Sequence, residues 1–451
     1  LGVTNFDIVK ADTAAVPVDT TKSEEVSSYI NIENVELHNI NLTYIDLAGK
    51  MQADVRKLTA QFSGSLKSDI LNSKTTVTES VISFTYEGEK YLQNAAIKFN
   101  IPAEVNLSKG FVQFGESEAT INSINLAFSG SVENDTINKR INTNIVYKSQ
   151  KFPIADAIAL IPPSYLSYVE GVDIKGIASS DGKITGFYSD AVMPLMDLHI
   201  LLHEGDLRYA SLPLPLSNMK GDFVFYSDLT SDALTYFQIK QFSATTPQSS
   251  FTTRGKITHL FSDMYIDITS DANLVLSEFA PMVPADMKVS IKGRASGQVK
   301  SAFSMEHIDK MLIDKMKISG SVALTGFDVT YDSIMLKSDF SKVDFALPNP
   351  KASSKSLGFL YMKIDSKKVD ASQINGFVVN MQNSLISIET SDVMDTTKMP
   401  DVACTFAIDS LTASMDTMKF SARKPNGKLI FLPKKGKELQ AIVKLDYNGD
   451  R

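Results

Sequence analysis

Alternation with a period of two constrains this chain more than any other feature of its sequence. In residues 287–300 (MKVSIKGRASGQVK), Val289, Ile291, Gly293, Ala295, Gly297 and Val299 fall on one side of an extended chain. Lys288, Ser290, Lys292, Arg294, Ser296, Gln298 and Lys300 fall on the other. Successive side chains of a strand point to opposite faces, so the segment predicts a strand with one apolar and one wet face. The pattern recurs at Ile124, Leu126 and Phe128, at Met264, Ile266 and Ile268, and at Ile386 and Ile388. Their outward neighbours are mostly Ser, Thr, Asn, Asp and Lys, which suits antiparallel strands solvated on one side. Helical periodicity is confined to residues 155–163, 276–282 and 304–312, with Pro162 and Pro284 as stops. Residues 8–28 carry little alternation and read as a loop.

The alternating segments repeat. FSGS at 128–131 is followed by INTNI, AIALIPP, VDIKGIAS at 172–179 and HEGDLRYASL at 203–212. A second pass runs FTTRGK at 251–256, YIDIT, FAPMVP, VSIKGRAS at 289–296 and TGFDVTYDSI at 325–334. Phe128 and Phe251, Pro162 and Pro284, Lys175 and Lys292, and Tyr209 and Tyr331 stand 123, 122, 117 and 122 residues apart. Four landmarks in one order at nearly one spacing mark a repeat of about 120 residues. A fainter copy is LHNINLTYIDL at 37–47. The expected division is an N-terminal β segment at 1–127 containing that copy, repeat units at 128–250 and 251–350, and a C-terminal β segment at 351–451.

Short strands with one apolar face must bury it. A closed barrel or sandwich turns that face into a packed core. A curled sheet or solenoid-like body turns it into a continuous trough. Gly293, Ala295 and Gly297 dilute the inner face, which favours the trough, because a tight core wants volume there. A sandwich with bulges at the glycines accounts for the same pattern. The predicted fold is mainly β: an elongated, twisted antiparallel sheet with a few short helices.

Composition narrows the function. The net charge of −7, with no basic patch carrying interleaved aromatics, argues against nucleic acid as a partner. Hydrophobic residues at 43% and charged residues at 22% place the chain among folded proteins. The single cysteine, Cys404, forms no intramolecular disulfide, and its setting in VACTFAI predicts a packed thiol. No apolar stretch approaches the ~20 residues of a bilayer-spanning helix.

Catalytic patterns fail on geometry. His199 and His203, with Glu204 beside the second, have metal-like spacing. However, Leu198, Ile200 and Leu202 alternate with His199 and Leu201, which predicts a strand. Residues four apart on a strand lie ~13 Å apart, too far to share one metal held at ~2 Å from each ligand. SNMK at 217–220 matches Ser-x-x-Lys, but no SDN or KTG companion accompanies it. His38, His259 and His307 lack ligand partners at coordination spacing. The expectation is a protein that is not an enzyme, with no catalytic residue, metal or cofactor.

GDLRYASLPLPLSNMKGDFVF at 205–225, the paired V-x-I-K-G-x-A strands, IPPSYLSYVEGVDIKG at 161–176 and GFDVTYDSIML at 326–336 together resemble the AsmA-like family of envelope proteins, to which TamB and YhdP are related. In that family a strand with an acidic residue or Asn followed by an aromatic recurs, as in Asp206 and Tyr209, Asp328 and Tyr331, and Asn41 and Tyr44. The resemblance covers most of residues 35–350 and rests on order and texture. It implies a β-groove that carries phospholipid or another acyl-chain lipid in the periplasm. It also implies an inner-membrane anchor upstream of this segment and a role in outer-membrane biogenesis. The groove-lining candidates are Ile124, Leu126, Phe128, Ile174, Met264, Ile266, Ile268, Val289 and Ile291. The other readings are a scaffold for outer-membrane protein assembly and a carbohydrate-active β enzyme.

Overall fold

The computed structural model describes residues 29–163, 171–189, 192–209, 214–228, 231–282, 289–374, 376–393, 399–433 and 439–447. The loop expected at 8–28 and the helix stop at Pro284 lie outside them. Strands β1 (Tyr29–Asp46), β2 (Met51–Lys67), β3 (Ile70–Tyr86), β4 (Glu89–Asn106), β5 (Phe111–Ile121) and β6 (Ile124–Asp135) open the chain. After β7 (Arg140–Ser149) and β8 (Phe152–Pro153) comes helix α1 (Ile154–Ile158). The centre contains β9 (Val172–Tyr188), β10 (Leu195–Tyr209), β11 (Ser217–Ser227), β12 (Tyr236–Thr245), β13 (Ser250–Thr258) and β14 (Tyr265–Val275). A 3₁₀ helix (Leu276–Met282) leads into β15 (Val289–Ser304), and α2 (Met305–Asp309) into β16 (Lys317–Tyr331). The remainder is β17 (Ile334–Leu347), β18 (Leu360–Gln373), β19 (Phe377–Thr390), β20 (Val402–Met415), β21 (Met418–Arg423), β22 (Pro425–Pro433) and β23 (Leu439–Tyr447).

All 23 strands belong to one sheet, and every pairing is antiparallel between neighbours in sequence or nearly so. The short β8 continues the edge of β7 along β9, and β21 and β22 pair with successive halves of β20. The sheet is not closed: among the described residues β1 pairs with β2 alone, and β23 with β22 alone.

The repeat is visible in the elements. Strands β6, β7, helix α1, β9 and β10 are followed by β13, β14, the 3₁₀ helix, β15 and β16 in the same order. Gly176 and Gly293, 117 residues apart, both have positive φ, at +152° and +107°. Each lies where the neighbouring backbone comes too close for a side chain. A Cβ on Gly176 would overlap the Glu204 carbonyl oxygen, and one on Gly293 would overlap that of Gly326. A β-bulge sits at each place, between Leu202 and Glu204 and between Lys292 and Arg294. Bulges bend strands and sharpen their twist.

Burial decides between a packed sandwich and an open sheet. The largest side chains with almost no exposure are Thr235, Ser117, Ser227, Ser366 and Ser384. Not one is a Leu, Ile, Phe or Met, the residues that fill a sandwich core. The apolar face is therefore an open surface that the sheet curls around.

Candidate functional site: an apolar trough

Pairing register shows which side chains stand side by side across the sheet. From Phe128 the row runs to Tyr147, Gly182, Leu198 and Phe225. It continues to Phe237, Ile257, Ile266 and Phe303. All nine are half-buried. With neighbouring strands ~4.8 Å apart, the row extends for roughly 38 Å. Phe223 and Phe237 stack at 5.3 Å, and Phe114 and Phe128 meet edge to face at 6.2 Å. Parallel rows carry the surface to both ends. Leu37, Ala60, Val77, Phe99, Ala119 and Leu126 form one in β1–β6. Gly297, Val322, Val343, Ile364, Ile386 and Phe406 form another in β15–β20.

The trough has a floor. Leu324, Ser341, Ser366, Ser384 and Ile408 form one row through the middles of β16–β20. The three serines are 4%, 1% and 2% exposed, whereas the rows beside them remain half-exposed. Their hydroxyls are linked: Ser338 to Ser341 at 2.7 Å and Ser341 to Ser366 at 2.6 Å. Asn383, next to Ser384, takes φ of +44° in mid-strand. Small side chains are required where a bent strand brings its two halves together, and a hydroxyl that finds a partner there costs little. Farther along, Leu202, Met219 and Ala244 form a buried cluster against which Ile154 of α1, Ile174, Leu207, Phe223 and Phe251 pack. Helix α1 covers the face at this point.

The opposite face is polar and cross-linked between strands. Lys337 pairs with Asp328 at 3.3 Å, Gln298 donates to Asp271 at 3.0 Å, and Thr43 donates to Asp54 at 2.8 Å. Such exposed pairs keep the long sheet wet and add less than about 1 kcal/mol each.

The sequence-derived candidates mostly fall on the trough. Phe128, Ile266 and Leu126 lie in its rows, and Ile268, on the same face of β14 as Ile266, stands between Gly255 and Ser301. Ile124 stands opposite Ile121, Ile174 opposite Leu207, Ile291 opposite Val329, and Val289 opposite Tyr331. Met264 differs: it precedes β14, is 37% exposed and lies at the rim, where its carbonyl accepts from the Met305 N–H. Its apparent place in the alternation came from extending β14 one residue too far. Cys404 is half-buried on the apolar face, in the row Met362, Ile388, Cys404 and Leu429, and burial pushes its thiol pKa up. Phe223, Phe225, Phe237 and Phe303 are not among the sequence-derived candidates, and Phe251 enters the sequence reading only as a landmark of the repeat.

His199 and His203 lie on β10 with separate partners. The His199 ring sits between Asp222 at 2.8 Å and Asp181 at 3.3 Å, one on each nitrogen, which is a cross-strand ladder and not a chelate. His203 meets the Ser179 hydroxyl at 2.8 Å, and burial lowers its pKa, with Lys151 adding to the effect. Among the described residues no three metal-ligating side chains converge, and no helix is long and apolar enough to cross a membrane.

One buried carboxylate braces the rim. Glu278, in the 3₁₀ helix, accepts from Thr246 Oγ1 at 2.7 Å, the Gln248 N–H at 2.9 Å and Ser249 Oγ at 2.5 Å. Burial pushes its pKa up, but these donors outweigh burial and leave it below the ordinary value of 4.5. A group held lower in the folded state stabilises fully above its unfolded value, and that gain is lost as pH falls through the folded value. Urea midpoints should therefore drop between pH 5.5 and pH 3.5. In Glu278→Gln, which loses charge-assisted bonds worth about 2 kcal/mol, the midpoint should already be low at pH 5.5 and should change less with acid.

No family model, no curated protein and no solved structure matches this chain.

Proposed function

We propose that this chain is a non-enzymatic lipid-binding protein that holds the acyl chains of a phospholipid along the apolar trough. One observation carries the reading. The apolar rows run from strand to strand without a charged residue, and all nine residues of the longest row stay half-exposed, with α1 reaching the face only at the Leu202 cluster. A soluble protein rarely leaves so long an apolar surface without an occupant. An acyl chain spans about half of a ~30 Å hydrocarbon core, so the ~38 Å row of nine strands takes one at full length. Each methylene taken from water contributes roughly 0.8 kcal/mol when fully covered. An open wall recovers a fraction of that, which suits a ligand that must slide and leave. The resemblance to AsmA-like proteins supports the same reading. It adds the proposals of a periplasmic location, an upstream inner-membrane anchor, the outer membrane as target and a part in envelope integrity.

Cys404 tests the occupant without any added reporter, because it is the single cysteine and lies on the trough wall. Loading delipidated protein with phosphatidylglycerol vesicles should slow maleimide labelling of Cys404 several-fold. Unchanged labelling in protein shown to carry lipid would place the lipid elsewhere.

A further inference from the structure

Exposed apolar side chains gather along one rim of the sheet. In an antiparallel sheet every second connection returns to the same rim. On this rim six consecutive connections, from the end of β4 to the start of β16, each hold a large apolar residue out in water. They are Leu107, Ile137, Met193, Leu234, Phe261 and Met311. Ile137 is 91%, Met311 70% and Phe261 65% exposed. Over the same strands the connections of the opposite rim hold one such residue among the described residues, Met282. Leu47 lies farther along that opposite rim, and the connections next to it, at 87–88 and 122–123, hold none.

Scattered exposed apolar residues need no explanation, but a regular line of them does. The tips recur every two strands, ~9.6 Å apart, so the line is roughly 48 Å long. Its turns are pinned in place. Asn106 Oδ1 accepts from the Lys109 N–H and Asp135 Oδ1 from the Asn138 N–H, both at 3.0 Å. Asp232 accepts from the Phe261 N–H at 3.2 Å and Asp263 from the Glu306 N–H at 2.9 Å, which ties neighbouring turns together. Asp135, Asp232 and Asp263 are thus engaged within the rim. Lys109 and Lys139, by contrast, stand exposed two residues beyond Leu107 and Ile137. The trough meets the same rim. From Leu198 to Phe303 its longest row lies within three residues of the strand ends there.

We propose that this rim docks on the surface of a phospholipid bilayer containing anionic lipid, with the six tips inserted at the level of the headgroups. A protein partner would need a separate pocket for each tip along the whole line. A fluid interface accepts apolar side chains at any spacing and attracts the lysines beside them. The bilayer surface then lies next to the trough wall, which gives a lipid a short apolar path between the two. The docking itself does not depend on what fills the trough.

Co-sedimentation of the full chain with vesicles of phosphatidylethanolamine and phosphatidylglycerol tests it. The unaltered protein should pellet with these vesicles, and less with vesicles of phosphatidylcholine alone. Ile137→Ser with Phe261→Ser removes two tips and should lower the bound fraction about tenfold. Leu47→Ser with Met282→Ser removes two exposed apolar residues from the opposite rim and should bind as the unaltered protein does. All four positions are exposed, so urea midpoints should not move. Phospholipid extracted before vesicles are added reads the trough separately and should be equal in all three proteins. Failure of the folded, unaltered protein to pellet would overturn the proposal. So would an equal loss in the two double variants, or indifference to phosphatidylglycerol.

Discussion

Ile266→Glu removes lipid binding while leaving the sheet intact: that is the expected result of placing one charge in the longest apolar row. Ile266 stands between Ile257 and Phe303, with no cationic or hydrogen-bonding side chain beside it in the row. It is half-exposed in the empty trough, so an ionised carboxylate there stays hydrated and costs folding little. Once acyl chains cover the row, the same carboxylate must lose its water, at a cost of several kcal/mol. Co-purified lipid should therefore fall about tenfold or more, with far-UV circular dichroism unchanged. The control is Ser296→Glu, an exposed position on the polar face of β15. It adds the same charge and should retain lipid. Full retention in a folded Ile266→Glu protein would take that row out of the lipid path.

Gly176→Ala has the largest expected effect on stability. With φ at +152°, position 176 is in a region closed to L side chains, and the new methyl meets the Glu204 carbonyl. Strained backbone of this kind costs roughly 1–3 kcal/mol, and the overlap forces β9 away from β10 at the bulge beside Leu202. Because Leu202 anchors the buried cluster under α1, the loss should extend to that cluster. A fall of about 3 kcal/mol in urea unfolding is expected. A change under about 0.5 kcal/mol would mean that the bulge relaxes freely and does not set the bend.

The alternation and the repeat were legible in the sequence because they depend on local periodicity, which the sheet preserves. Three short helices, α1, Leu276–Met282 and α2, were legible for the same reason, at residues that broke the period, whereas the 3₁₀ turns at Ile313–Lys315 and Lys355–Leu357 were not. The floor was not. Ser341, Ser366 and Ser384 look like any polar interruption of a strand, and only the bend that brings two half-strands together buries them. Phe223, Val224, Phe225 and Tyr226 hid the trough in another way, since an aromatic run carries no polar alternate. Register places Phe223 and Phe225 on the apolar face, while Tyr226 stacks on Tyr236 at 5.3 Å, under Lys256 at 3.6 Å. A stacked tyrosine pair roofed by a cation satisfies the wet face without a polar residue. The metal-like spacing of His199 and His203 dissolved once the period was two, and each ring proved to serve a different neighbour.

The central claim is that the open apolar face is occupied by lipid. Solvent extraction of the purified full chain, followed by mass spectrometry of the extract, tests it most directly. Phospholipid is expected in near-stoichiometric amount from the unaltered protein, and about a tenth of that or less from Ile266→Glu purified in parallel. Extracts of folded protein that are repeatedly free of phospholipid would contradict it.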